Sequence, residues 1–299
     1  MSNAVINVSH LTKSFKNKDA LKDITFKVDQ GDCVALIGPN GAGKTTLMSS
    51  LLGDVIYQKG EISVLELPVD HKDLKSRVTV LFQENVVQRK MKVKELIAFQ
   101  KSLYDKSLSD QEIKSLLAFS DDQYNQFAEK LSGGQKRLLQ FVLILIGQPE
   151  LIFLDEPTAG MDTSTRQYFW QVIDRLKADG KTIIYSSHYI EEVEHTADRI
   201  LVLHQGQLIR DTTPYAMRAE EKQKVFTIPI TYHPIFEQSE LVSNLEVRQD
   251  NLTFTTSQPA EVWTVLQEEH CPIDAIEMNN RTLLDSIFLT TEGDNNEIL

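Results

Sequence analysis

Three short stretches of this sequence hold residues whose types and spacing could do phosphate chemistry. Gly38-Pro39-Asn40-Gly41-Ala42-Gly43-Lys44-Thr45 fits the pattern G-x-x-x-x-G-K-[ST], in which glycines let backbone N–H groups close around phosphate oxygens. Lys44 is placed to reach β and γ phosphates, and Thr45 to set its hydroxyl on Mg²⁺. The apolar run Leu151-Ile152-Phe153-Leu154 ends in Asp155 and Glu156. Beside a phosphate loop, Asp155 suits a Mg²⁺-supporting role and Glu156 can orient or deprotonate an attacking water; taken alone, the two acids could be a solvated strand end. Leu131-Ser132-Gly133-Gly134-Gln135 precedes the apolar stretch 138–146, and Ser132 reads as the N-cap of a helix.

Positioning these residues falls to a series of strands. Residues 33–37, 78–82, 151–154, 182–185 and 200–203 are nearly continuous apolar runs, the pattern of strands covered on both faces. Helical stretches separate them, which predicts a mostly parallel α/β sheet. Val5, Ile6 and Val8, with the alternating Ile24, Phe26 and Val28, predict a small antiparallel β layer before it. A helix over 46–52, ending at Gly53, follows the phosphate loop.

Residues 83–147 show helical rather than strand periodicity and read as a helical insertion, with a subdomain over about 85–147. Val93, Leu96, Ile97 and Leu103 are expected on one face, and Ser109 to Glu112 has capping-box spacing. Phe169, Val172, Ile173 and Leu176 mark another helix, capped by Asp162 or Thr163 and ended before Gly180. The composition changes near Val225, giving a division into 1–220 and a small α+β domain over 225–299, with strands near 226–230, 245–247 and 252–255 and helices near 260–268 and 282–289.

The length of 299 residues fits a main domain with an appendage. Lys+Arg 31 against Asp+Glu 43 leaves −12, the wrong sign for coating nucleic acid, so no nucleic-acid partner is expected. Two cysteines, Cys33 and Cys271, make no disulfide framework and suit a reducing compartment. No secretory signal pattern opens the chain, and the longest apolar stretch, 141–146, falls far short of the ~20 residues of a membrane-spanning helix. Any membrane role is therefore expected through a partner.

The phosphate loop, then LSGGQ at 131–135, then LIFLDEP at 151–157, resembles the ATP-binding subunits of ABC transporters over about residues 5–211. The resemblance implies a P-loop NTPase core and ATP bound with Mg²⁺ by Gly38, Asn40, Gly41, Gly43, Lys44, Thr45 and Thr46. It implies Thr45, Gln83 and Asp155 around the metal, and Glu156, His188, Gln83 and Lys44 in hydrolysis. Gln83 is similar to the Q-loop glutamine, His188 to the switch histidine and Asp162 to the D-loop aspartate, although Asp162 also stands where a helix N-cap belongs. Phe15 falls where the family carries an aromatic, more often Tyr, that stacks on adenine; as a strand aromatic it could equally be core. Ser132, Gly133, Gly134 and Gln135 would close on the γ phosphate of ATP held by a second subunit, so the resemblance implies a homodimer or pseudo-symmetric dimer.

Residues 187–194 and the short insertion are similar to the ATPases of ABC-2 type exporters, which implies an integral membrane permease subunit and a place on the cytoplasmic face of the membrane. Residues 283–289 loosely resemble the ending of drug and peptide exporter ATPases. The main alternative is a soluble ABC-type ATPase acting in translation or DNA repair, although those usually carry two cassettes, zinc cysteines or coiled coils. A P-loop kinase would leave LSGGQ without a role.

Overall fold

The computed structural model describes residues 4–16, 18–83, 90–187, 190–220 and 223–280. The chain forms two compact units, Met1–Thr213 and Pro214–Leu299.

In the first unit, strands β1 (Ala4–Phe15) and β2 (Lys18–Asp29) pair antiparallel, and β1 pairs on its other side with β4 (Lys59–Val64), which leads to β5 (Leu67–Pro68). This is the antiparallel layer that the alternation of Ile24, Phe26 and Val28 predicts. A six-stranded sheet lies in the order β10-β9-β3-β8-β7-β6, built from β3 (Cys33–Ile37), β6 (Val78–Leu81), β7 (Leu151–Asp155), β8 (Thr182–Ser186), β9 (Arg199–His204) and β10 (Gln207–Thr212). The first five are parallel, and only β10 runs against its neighbour. Every residue of β3 and β8 is buried, as continuous apolar runs require when both faces of a sheet are covered. Because the five strands run the same way, the segments leaving β3, β6, β7 and β8 all emerge at one edge, where open α/β sheets bind their ligands.

Helix α1 (Lys44–Leu51) follows β3, and α2 (Leu74–Arg77) leads into β6. Between β6 and β7 stand α3 (Val93–Lys101), α4 (Asp110–Leu117), α5 (Asp121–Asn125) and α6 (Gly133–Leu145), with no strand among the described residues of this insertion. Ser109 and Glu112 form the expected capping box on α4. The expected apolar face of α3 holds for Val93, Leu96 and Ile97, but Leu103 lies beyond the helix end and is exposed. Helix α7 (Thr163–Ala178) packs on α6 through Phe141 and Phe169, whose ring centroids are 4.5 Å apart, and α8 (Ile190–Thr196) precedes β9.

The second unit begins with α9 (Pro214–Glu220). Its sheet is antiparallel in the order β12-β13-β11-β14, from β11 (Lys224–Pro229), β12 (Ser243–Arg248), β13 (Asn251–Thr256) and β14 (Glu277–Asn280). Phe226, Ile228, Leu252 and Phe254 pack with Phe236 of α10 (His233–Phe236) and with Val262 and Leu266 of α11 (Pro259–Glu268). The helix expected over 282–289 lies outside the described residues.

Candidate active site

The loop leaving β3 is held by contacts that exclude side chains. Gly38 has φ +151°, and a Cβ there would stand 2.1 Å from the Leu203 carbonyl oxygen at the end of β9. Gly43, the N-cap of α1, has φ +110°, and a Cβ there would meet the Ala20 carbonyl oxygen at 2.6 Å. Both positions need glycine for space and for conformation. Lys44 donates its ammonium to the carbonyls of Gly38 (2.7 Å) and Pro39 (3.2 Å), so it curls over the loop. Burial lowers the pKa of Lys44, while Glu156 and Asp155 nearby oppose the shift. Helix α1 has no capping side chain and no acid in its first turn, which leaves its N-terminal N–H groups and dipole to an anion. Thr45 and Asn40 are exposed and Thr46 is half-buried.

One hydroxyl fixes the two acids after β7. Ser186 Oγ donates to Asp155 Oδ1 at 2.5 Å and accepts the Glu156 N–H at 2.9 Å. Glu156 has φ +44°, a left-handed backbone that a non-glycine residue adopts only where its surroundings impose it. Its Oε2 accepts from Gln83 Nε2 at 2.9 Å, so the structure brings together Gln83, Asp155 and Glu156 at the carboxyl ends of β6 and β7.

Ser132 caps α6: its Oγ accepts the Gln135 N–H at 3.2 Å, and its own N–H donates to Gln135 Oε1 at 3.0 Å. Gly134 is a close-approach point, since a Cβ there would lie 3.2–3.4 Å from Thr165 and Asp162. Asp162 is the N-cap of α7, accepting from the Thr165 N–H (2.9 Å), Thr165 Oγ1 (2.9 Å) and Ser164 Oγ (2.6 Å), and these bonds hold its carboxyl well below the usual carboxylate range. The first turns of α6 and α7 are therefore neighbours. Among the described residues no hydrogen bond joins residues 131–135 to the phosphate loop.

Phe15 ends β1 with 48% of its surface exposed, and the Lys13 ammonium stands 4.4 Å from its ring centroid, so the core alternative does not hold. His188 lies outside the described residues.

A profile of the ABC transporter family matches residues 21–159. The Nod factor export ATP-binding protein I of Rhizobium meliloti (strain 1021) is 34% identical over 267 residues, covering 86% of this chain and 79% of that protein. The chain belongs to the ATP-binding proteins of ABC transporters. This ABC protein is also 35% identical to the Nod factor export ATP-binding protein I of Rhizobium sp. (strain N33), with 74% of each chain covered. Among solved structures, cbiO1 from Clostridium perfringens, part of the ABC transporter complex cbiONQ, matches with TM-score 0.65 and 24% identity over 73% of this chain and 92% of that one. The ATP-binding cassette MJ0796, in a dimeric post-hydrolysis state bound to ADP and Pi, matches with TM-score 0.62 and 22% identity over 70% and 98%. These structural likenesses bear on the fold, which is that of the α/β P-loop NTPases. The activity is the family's, hydrolysis of ATP. The soluble and kinase alternatives lose their ground.

Sequence reasoning missed two residues of this ABC site, Ser186 and Arg137. Arg137, on α6, is fully buried and donates to the carbonyls of Pro157 (3.0 Å), Asp155 (2.8 Å), Glu156 (3.2 Å) and Phe82. Burial pushes its pKa down to about 10, so it stays charged near neutrality. The available signal was a cation leading into the apolar run Leu138, Leu139, Phe141 and Val142 of the same helix. Beside this group, a cavity of ≈ 600 Å³ is lined by Phe82, Gln83, Gln100, Gln140, Leu143, Ile144 and Asp155, among others.

Proposed function

We propose that this chain is the ATP-hydrolysing subunit of an exporter, driving transport through a separate integral membrane permease from the cytoplasmic face. The observation that carries the reading is the meeting of Gln83, Asp155 and Glu156 at the sheet edge that also bears the phosphate loop. Export follows from the relatives, each named an export ATP-binding protein. No helix among the described residues is long and apolar enough to cross a membrane.

In this reading Lys44 leaves the Gly38 and Pro39 carbonyls for the β and γ phosphates, and the N–H groups at the start of α1 hold the remaining oxygens. Phe15 offers its exposed ring to adenine. Thr45, Gln83 and Asp155 present only oxygen as metal donor, the set that suits Mg²⁺. When bound, Mg²⁺ supplies neutralising charge at the β and γ phosphates. Glu156 accepts the proton of a water whose oxygen bonds to the γ phosphorus, and the β–γ bridging oxygen leaves with ADP. The resemblance gives His188, which lies outside the described residues, a role at the γ phosphate.

Ser132 caps α6, whose first turn carries no acid, and such a helix start favours an anion; in this reading Ser132 to Gln135 meet the ATP held by a second copy or a similar chain. Gln83 borders both Glu156 and the ≈ 600 Å³ cavity, where the exposed Phe82 offers apolar surface to a permease segment. The division into an ATP-binding domain over 1–220 and an accessory domain over 225–299 that stabilises the dimer or regulates its closure belongs to the same proposal.

The test is ATP turnover by the purified chain with Mg²⁺, alone and co-expressed with an adjacent-gene membrane protein. Lys44→Ala removes the ammonium that neutralises phosphate charge and is expected to abolish turnover. Full activity in that variant would sink the phosphate-loop assignment, and failure of the chain to reach membranes with any such protein would sink the exporter.

A further inference from the structure

A fully buried guanidinium demands compensation, which the charges of Asp155 and Glu156 supply in part, and hydrogen-bond acceptors must complete it. Arg137 forms no ion pair among the described residues and finds those acceptors in four carbonyl oxygens. Those carbonyls are not scattered. Three belong to consecutive residues, Asp155, Glu156 and Pro157, and the fourth to Phe82, the residue before Gln83. The Gln83 and Glu156 side chains meet directly at 2.9 Å. One planar fork of fixed geometry therefore grips the backbone on both sides of that contact, from a helix whose N-cap is Ser132. Holding Glu156 at φ +44° requires surroundings that over-determine it, and three bonds to Asp155, Glu156 and Pro157 are of that kind.

We infer that Arg137 is a positioning residue for hydrolysis: it fixes the backbone of residues 155–157 against that of Phe82, and so sets the reach between Gln83 and Glu156. Fully buried, it acts through these carbonyls rather than on the reacting atoms. Its effect is on how well the general base is aimed, and displacement of a catalytic group by about 1 Å can cost on the order of 100-fold in rate. The inference rests on the ATPase reading above, with Glu156 as base.

The experiment compares full-length Arg137→Gln and Arg137→Lys with the parent, measuring kcat, KM for ATP and thermal unfolding. It then combines Arg137→Gln with Gln83→Ala. Expected is a fall in kcat of roughly 10- to 100-fold for Arg137→Gln with KM changed less than about 2-fold. Arg137→Lys, which keeps the charge but loses the fork, should fall between. In the Arg137→Gln background Gln83→Ala should cost little more, because the contact it removes is already misaligned. Unchanged kcat in Arg137→Gln, or fully additive losses in the double variant, would overturn the inference. So would a parallel loss of kcat, ATP affinity and melting temperature, the mark of a purely structural residue. If Arg137→Gln does not fold, Arg137→Lys decides on the same kcat-against-KM split. Parent activity in Glu156→Gln would instead sink the underlying reading and leave the geometry of Arg137 as a structural finding.

Discussion

Gln83 and Glu156 lie 73 positions apart in the chain, yet the Gln83 side-chain amide donates to the Glu156 carboxylate at 2.9 Å. The contact is produced by the sheet: β6 and β7 are parallel neighbours, Leu81 is paired with Leu154, and the helical insertion between them carries the chain back to the start of β7, which then runs to the same edge. Gln83→Ala should lower kcat by more than it raises KM for ATP, since the lost bond orients the base while Thr45 and Asp155 remain to hold Mg²⁺. Steady-state kinetics check this, and a rise in KM with kcat unchanged would place Gln83 in nucleotide binding instead.

Phe15 has solvent over about half of its surface, so truncating it removes little core. If the ring stacks on adenine, Phe15→Ala should weaken nucleotide binding by about 1–3 kcal/mol, by analogy with base–aromatic stacking, and Phe15→Tyr should be tolerated. Titration of a fluorescent ATP analogue gives the answer. Unchanged affinity in the Ala variant would leave Phe15 as a surface residue only.

The strands that position the site were legible because a parallel sheet covered on both faces needs unbroken apolar runs, as at Cys33–Ile37 and residues 151–154. The phosphate loop was legible because Gly38 and Gly43 meet a backbone that admits no Cβ. Edge strands β10 and β14 were not, since most of their residues are exposed and their pattern is mainly polar, and β5 is only the two residues Leu67–Pro68. Arg137 and Ser186 were hidden for another reason. Both act on backbone or on a neighbour's side chain across the sheet, and sequence spacing does not reveal such partners. Leu103 matched a helical period that the chain did not keep, because α3 ends at Lys101.

Asp162 is the N-cap of α7, and bonds from Ser164 and Thr165 hold its carboxyl below the ordinary value of 3.8. On acidification the unfolded chain takes up this proton first, so the contribution of Asp162 to stability is complete above about pH 4 and lost as pH falls through the lower folded value. Asp162→Asn keeps a capping side chain without the titration. The difference in melting temperature between parent and variant should therefore shrink between about pH 5 and about pH 2. A constant difference over that range would mean that the charged form of Asp162 adds nothing to the fold.

In the proposed reaction ATP is cleaved between two chains, with Glu156 of one and Ser132 of the other at the same phosphate. Glu156→Gln keeps the side-chain shape and removes the proton acceptor, so ATP should bind, persist and bridge two copies, whereas ADP lacks the phosphate that they share. Each copy carries −12, so moderate salt should assist by screening their repulsion. Sedimentation of Glu156→Gln with ATP, with ADP and without nucleotide is the direct measurement. A dimer is expected with ATP alone, abolished by a further Ser132→Arg change. A variant that stays monomeric with ATP well above the concentrations used for turnover, or that hydrolyses ATP at the parent rate, would contradict it.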